Sequence, residues 1–164
     1  MRRLALLALS LLVGCHQPEA PAGGDTAGAR LERAATAAGI VADPARISLV
    51  GAWARDTDRL CVVGANSGSL RVGVLVDYGE GQGCAASGIA RQRRETLSVS
   101  FGGCRFDARS DGERIVFPAT LPSACDSLCT GRASLSALSV DRISAAASEA
   151  AQLRATGGRA LCGG

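Results

Sequence analysis

The side chains that could do chemistry in this 164-residue chain are seven cysteines, eighteen arginines and fifteen carboxylates. Cys15 stands apart, at the end of an N-terminal apolar run. Cys61, Cys84, Cys104, Cys125, Cys129 and Cys162 lie in the body of the chain. An even number of cysteines in an exported domain reads as three disulfides, each worth roughly 2–4 kcal/mol. Spacing leaves the connectivity open. Adjacency of the predicted strands favours Cys84 with Cys104, and Cys162 is expected to tie the tail back to the domain. The spacing Cys125-x-x-x-Cys129 resembles half of a zinc site. A second close pair is missing, and the only histidine is His16, far upstream. No metal and no cofactor are therefore expected.

Missing residue types exclude several reactions. Without a histidine beyond His16, Ser-His-Asp and Cys-His nucleophiles cannot be built. The chain has no lysine, so Ser-Lys pairs and Schiff bases are excluded as well. Gly79-Glu80-Gly81-Gln82-Gly83 is glycine-rich but lacks the basic residue and following helix of a phosphate loop, and reads as a hairpin turn. Carboxylates remain. Asp77, Glu80, Asp107, Asp111 and Glu113 lie in or beside predicted strands, and two carboxyls about 5–10 Å apart can cleave a glycosidic bond. These five fall on wet faces or in turns, where charge is normal. The chain is therefore read as a non-enzyme, with an envelope glycan hydrolase as the weaker alternative.

Arginine is the most visible polar feature. Two of the 18 basic residues, Arg2 and Arg3, lie in the leader, which leaves 16 against 15 acids and no reason to invoke nucleic acid. Arg91, Arg93 and Arg94 cluster at a turn, and Arg105 and Arg109 lie on a strand that antiparallel pairing can bring close. Such a patch suits an anionic lipid, a glycan or an acidic envelope protein. The competing reading is a solvated face neutralised by Glu95, Asp107 and Glu113.

The elements that must position these residues are mainly strands. Residues 16–28 form a Pro/Gly/Ala spacer. A short helix is predicted over 29–38, where Leu31, Ala34, Ala35 and Ala38 share a face, and a further helical turn over 43–47. From residue 48 period-two alternation takes over. It is clearest where Leu70, Val72, Val74, Val76 and Tyr78 oppose Arg71, Gly73 and Asp77, with Leu75 the one apolar exception. Further strands are predicted at 51–55, 59–63, 84–91, 97–101, 104–109, 113–117 and 132–140, with Leu135, Ala137 and Leu138 inward in the last. Asn66-Ser67-Gly68 and Asp111-Gly112 mark hairpins. Residues 144–155 read as a C-terminal helix. The fold class is mainly β: an antiparallel meander closing into a small barrel or a sandwich, with a short N-terminal helix and a C-terminal one.

The leader combines Arg2-Arg3, an aliphatic run from Leu4 to Val13, and Gly14 directly before Cys15. It has the order of a secretory signal peptide and is too short to span a bilayer. Leu12-Val13-Gly14-Cys15 resembles the lipobox of bacterial lipoproteins. That resemblance implies a signal peptide over 1–14, lipidation of Cys15, a flexible tether over 15–28, a helical segment over 29–47 and a β-domain over 48–164. The absence of Asp after Cys15 implies an outer-membrane location facing the periplasm. Gly51-Ala52-Trp53 resembles the Gly-x-Trp of lipocalins, which implies a barrel carrying a small ligand. Taken with the lipobox, the Gly-x-Trp and the meander, the run Cys125-Asp126-Ser127-Leu128-Cys129-Thr130-Gly131-Arg132-Ala133-Ser134-Leu135 resembles a group of small uncharacterised lipoproteins of Gram-negative bacteria. That likeness implies a place in the envelope and no activity. The leading expectation is a membrane-anchored lipoprotein with a non-catalytic binding or structural β-domain; a lipocalin-like carrier is the alternative.

Overall fold

The computed structural model describes residues 26–38, 47–64 and 69–163. The chain divides into two units, Met1–Val41 and Ala42–Gly164. Cys15, the leader, the helical turn at 43–47 up to residue 46 and the 66–68 hairpin lie outside the described residues.

In the first unit, α1 spans Ala27–Ala37. It starts two residues before the predicted point because the Thr26 hydroxyl accepts a hydrogen bond from the Ala29 amide at 3.1 Å and caps the helix. None of its residues is buried.

The second unit is a closed barrel of eight antiparallel strands in sequence order. They are β1 (Gly51–Arg55), β2 (Asp58–Val63), β3 (Leu70–Asp77), β4 (Gly83–Arg93), β5 (Thr96–Phe101), β6 (Cys104–Ser110), β7 (Arg114–Val116) and β8 (Ser139–Ser144). Closure comes from β1 pairing with β8, Trp53 opposite Arg142 and Ala54 opposite Asp141. The sandwich is thereby excluded, and no open sheet edge remains among these strands.

Alternation decides what goes inside. Val72, Val74 and Val76 of β3 face inward opposite Gly88, Ala86 and Cys84 of β4. Trp53, Leu60, Leu97 and Ile115 are each fully buried in the same core. Small side chains on β4 leave room for the large ones, and the inward residues form one buried cluster. Tyr78 departs from the predicted inward row: β3 ends at Asp77, the chain turns, and Tyr78 is 60% exposed.

Both ends of the barrel are covered. Residues 47–50 cross the end where β1 begins, and Leu49 is buried there. Arg142 holds this segment. Its guanidinium donates to the carbonyls of Ser48 (2.7 Å), Val50 (3.2 Å) and Gly112 (2.7 Å) and lies 4.3 Å from the centre of the Trp53 ring. The Trp53 indole N–H donates to the Leu49 carbonyl. At the other end the long β7–β8 connection folds over the opening, carrying a 3-10 helix at Ser123–Leu128. Cys125 bonds to Cys104 and Cys129 to Cys84, which fixes this cover to β6 and β4. The favoured Cys84–Cys104 pairing is thus wrong: each of these strand cysteines reaches the cover instead of its neighbour.

The same connection explains why the last strand is not 132–140. Leu135 and Leu138 are both buried, but they are three residues apart on a turn closed by the Leu138 amide and the Leu135 carbonyl. Ala137 between them is exposed, with φ of 58°. The strand begins only at Ser139. The C-terminal helix α2 is also shorter than predicted, Ala147–Gln152. Its chain then turns at Gly157-Gly158 and runs back across the outside of the barrel. Ala150, Leu161 and the Cys61–Cys162 disulfide form a second small core there, over Ala52 and Val63. Cys162 thus does tie back to the domain.

Candidate binding face on strands β4 to β6

Outward residues of a barrel wall occupy fixed rows set by strand register. On β4, Ile89, Arg91 and Arg93 point outward. Their partners on β5 are Ser100, Ser98 and Thr96, whose partners on β6 are Arg105, Asp107 and Arg109. Three rows result: Ile89–Ser100–Arg105, Arg91–Ser98–Asp107 and Arg93–Thr96–Arg109. Four of the five arginines predicted as a patch therefore share one wall. Arg94 sits beside it in the β4–β5 turn. Two strand spacings, about 9.5 Å, separate the β4 arginines from those of β6.

β5 contributes only short hydroxyl side chains between these ridges. The wall is consequently hollowed along β5, with an open depression of about 410 Å³ bounded by Ile89, Arg91, Arg105 and Asp107 and floored by Ser98 and Ser100. Phe106 lines its base from inside, its ring 4.6 Å from that of Phe117.

The polar groups of this wall are uncommitted. Arg91, Arg93, Arg105, Arg109 and Asp107 are exposed and make no side-chain hydrogen bond or ion pair with any described residue. The Ser100 hydroxyl makes only a long bond, 3.4 Å, to the Gly102 carbonyl. Neutralisation by Glu95, Asp107 and Glu113 therefore does not occur through contacts. Glu113 lies instead 4.0 Å from Arg142.

Other arginines differ. Arg55 and Arg114 are both spent on Asp141, at 3.0 and 2.6 Å. Arg114 first, then Arg55, holds the Asp141 carboxyl below the usual carboxylate range. The remaining carboxylates of the sequence reading serve turns. Asp111 accepts the amides of Glu113 and Arg114, which hold its carboxyl low, and Asp77 accepts the amide of Gly79. Glu80 occupies the left-handed region in the 79–83 turn, which is the hairpin predicted from its glycines.

A larger groove, about 670 Å³, runs between β4 and the C-terminal tail. Its walls include Ala85, Ser87, Gly102, Ala160 and Gly163, and Arg159 is its one charged side chain. A third hollow, about 500 Å³, gathers Asp77, Glu80 and Thr130 at the 79–83 turn, where Asp77 is committed to the Gly79 amide. By chemistry the β4–β6 wall is the stronger candidate, because it sets several arginines without described partners around a hydroxyl floor.

Sequence reasoning missed Ser98, Ser100 and Asp107 as parts of one site. The signal was present: alternation in 96–101 puts hydroxyls on the outward side, and the hairpins on either side bring two arginine-bearing strands against them. Arg142 was missed also, since nothing local distinguishes it from a solvated arginine. No family model, no curated protein and no solved structure matches this chain.

Proposed function

We propose that this chain is a lipid-anchored lipoprotein of the bacterial cell envelope, held through Cys15 at the outer membrane facing the periplasm, and that its barrel binds an anionic partner on the outer wall of β4–β6 without catalysing a reaction. One observation carries the binding reading: four arginines with no partner among the described residues share one exposed, hollowed wall of the barrel. Uncommitted guanidiniums offer bidentate donors to carboxylate or phosphate. The leader residues support the anchor, and the three disulfides suit an oxidising compartment.

The lipocalin-like carrier has the position of Trp53 and the next-neighbour barrel in its favour. Against it stand the cluster of large buried side chains inside the barrel and the segments that cross its two ends. A glycan hydrolase needs two converging carboxyls, and Asp77 and Asp111 are occupied in separate turns.

The test uses full-length protein made in a Gram-negative host. Intact mass of the mature product is expected to show acyl chains on Cys15, and a bare thiol overturns the anchor. Binding to a panel of anionic surfaces (phosphatidylglycerol vesicles, lipopolysaccharide, an acidic polysaccharide) is expected for the wild type and lost when Arg91, Arg93, Arg105 and Arg109 are all changed to Gln. Equal binding by both proteins, or binding by neither, overturns the β4–β6 face.

A further inference from the structure

We infer that the hollow along β5 is a subsite for an acidic glycan, a short stretch of sugar chain bearing carboxylate or phosphate groups, lying along the strand between the two arginine ridges. The inference rests on the reading of β4–β6 as the binding face and names its ligand class.

Shape comes first. The three rows extend over about 14 Å along β5, so the hollow is a trough and not a point site. A flat anionic membrane touches the tips of Arg91, Arg93, Arg105 and Arg109 but does not reach Ser98 and Ser100 between them. A linear chain reaches both.

Chemistry agrees. Asp107 stands in the middle row, flanked on β6 by Arg105 and Arg109 and facing Arg91 across Ser98, and no described residue donates to it. A carboxylate there repels a surface made only of anions. It is, however, an acceptor for hydroxyl donors, which sugars supply and which a phospholipid such as phosphatidylmethanol, with no hydroxyl on its headgroup, lacks. Ser98 and Ser100 add groups that both donate and accept, and Ser100 has only its long 3.4 Å bond to exchange. Ile89, 51% exposed at the end of the trough, offers an apolar edge to the C–H face of a sugar ring. The arginines then select rings that carry an acid. Base-stacking recognition of a single-stranded nucleic acid lacks its platform, because the outward rows contain no aromatic residue and Phe106, half-buried beneath them, packs its ring on Phe117.

The probe is an oligogalacturonate, titrated by calorimetry into the intact protein at physiological ionic strength. A neutral maltooligosaccharide of the same length and phosphatidylmethanol vesicles, anionic but without headgroup hydroxyls, serve as comparison arms. Saturable binding of the uronate, with little or none of the maltooligosaccharide, is expected. Arg91→Gln and Arg105→Gln should each weaken it about tenfold, as for a charge-assisted hydrogen bond.

Asp107→Ala separates the two kinds of anion. Uronate binding should fall about threefold or more through the lost acceptor, while vesicle binding should rise through the lost negative charge. Ser98→Leu, which fills the floor, should abolish uronate binding and leave vesicles unaffected. All four sites are outward and exposed, and amide NMR spectra check that each variant keeps the barrel.

Uronate binding that Asp107→Ala strengthens, or that Ser98→Leu leaves intact, overturns the glycan subsite. So does binding of vesicles alone, in which case the β4–β6 face survives with a lipid partner. Failure of every anionic probe, with no effect of the arginine substitutions, removes the face itself.

Discussion

Two outward faces of one barrel have opposite fates here. The outside of β1–β3 presents Ala52, Cys61, Val63, Gly73 and Leu75 and lies beneath α2 and the returning tail. The outside of β4–β6 from Ile89 onward presents Ile89, arginines, hydroxyls and one aspartate, and no described residue lies over it. Strand parity is the same in both. The difference is in what the chain did with the second face. Where outward residues are apolar or absent, a later segment covers them and forms a second core. Where they are charged and hydroxylic, nothing in the described chain answers them, and the groups stay available to a partner. An outward face is thus classified by its side chains, and not by its being outward.

The largest expected effect comes from uncovering the first face. Cys61 and Cys162 are 101 residues apart, so their bond removes a long loop from the unfolded ensemble. Replacing both by Ser should cost about 4–5 kcal/mol by loop-closure entropy. Urea unfolding measures it, and proteolysis should cut within the tail first. Uronate binding at β4–β6 should not change. A loss below about 1 kcal/mol would mean that the tail is held well enough without its bond, and the contrast between covered and bare faces would weaken.

A smaller effect isolates packing from covalency. A Cβ on Gly73 would collide with the Leu161 carbonyl oxygen, which also accepts the Ser87 hydroxyl at 2.6 Å. Gly73→Ala should therefore displace the tail and destabilise by about 1–3 kcal/mol. Ser98→Ala, the matching change of a small outward residue on the bare wall, should stay within about 0.5 kcal/mol. Thermal unfolding of the two variants side by side compares the faces directly. Arg93→Gln with Arg109→Gln should be equally neutral for stability, while binding of the acidic probe falls; stability loss comparable to Gly73→Ala would show the wall to be structural.

How much of this contrast the sequence discloses depends on the range of the cause. Period-two alternation in 70–77, 96–101 and 104–109 is local, and the strands lie where it predicts. The barrel follows from regular hairpins, although alternation alone cannot separate a barrel from a sandwich; the β1–β8 pairing that decides it joins residues about ninety apart in sequence. Leu75 is the one apolar exception on an otherwise wet face, and the second core beneath the tail explains it; Gly73 next to it on that face leaves room for Leu161. Such exceptions are the readable trace of a long-range cover. The stretch 132–138, expected as strand, deceived for a related reason. Leu135 and Leu138 pack from a turn, three residues apart, so they follow neither the helical nor the strand repeat of a full element. On the candidate face the arginines were legible as a cluster. The hydroxyl floor was not, because it emerges only when two hairpins set β5 between β4 and β6.

The smallest effects lie on the seam between the faces, where Asp141 of β8 accepts Arg114 from β7 and Arg55 from β1. A carboxyl held below its ordinary pKa contributes stability that is complete above the unfolded value, about 3.9, and is lost as pH falls through the folded one. Asp141→Asn should therefore lower the urea midpoint at neutral pH, with the deficit shrinking toward zero in acid. Both partners are exposed, so added salt should shrink it as well. Asp58 has the opposite sign. Burial pushes its carboxyl up, with Asp56 and Asp77 adding to the shift, and its Oδ1 has no hydrogen-bond partner. Its ionised form is penalised in the fold, so its contribution to stability grows as pH falls from the folded pKa toward the unfolded one. Asp58→Asn should stabilise the barrel at neutral pH, and that gain should vanish below about pH 4. Midpoints for the two variants measured from neutral pH to about pH 3 should thus approach the wild-type curve from opposite sides. Curves approaching from the same side would remove the assignment of Asp58 as a desolvated charge, and a salt-insensitive Asp141→Asn deficit would place that seam in a drier setting than its exposed arginines imply.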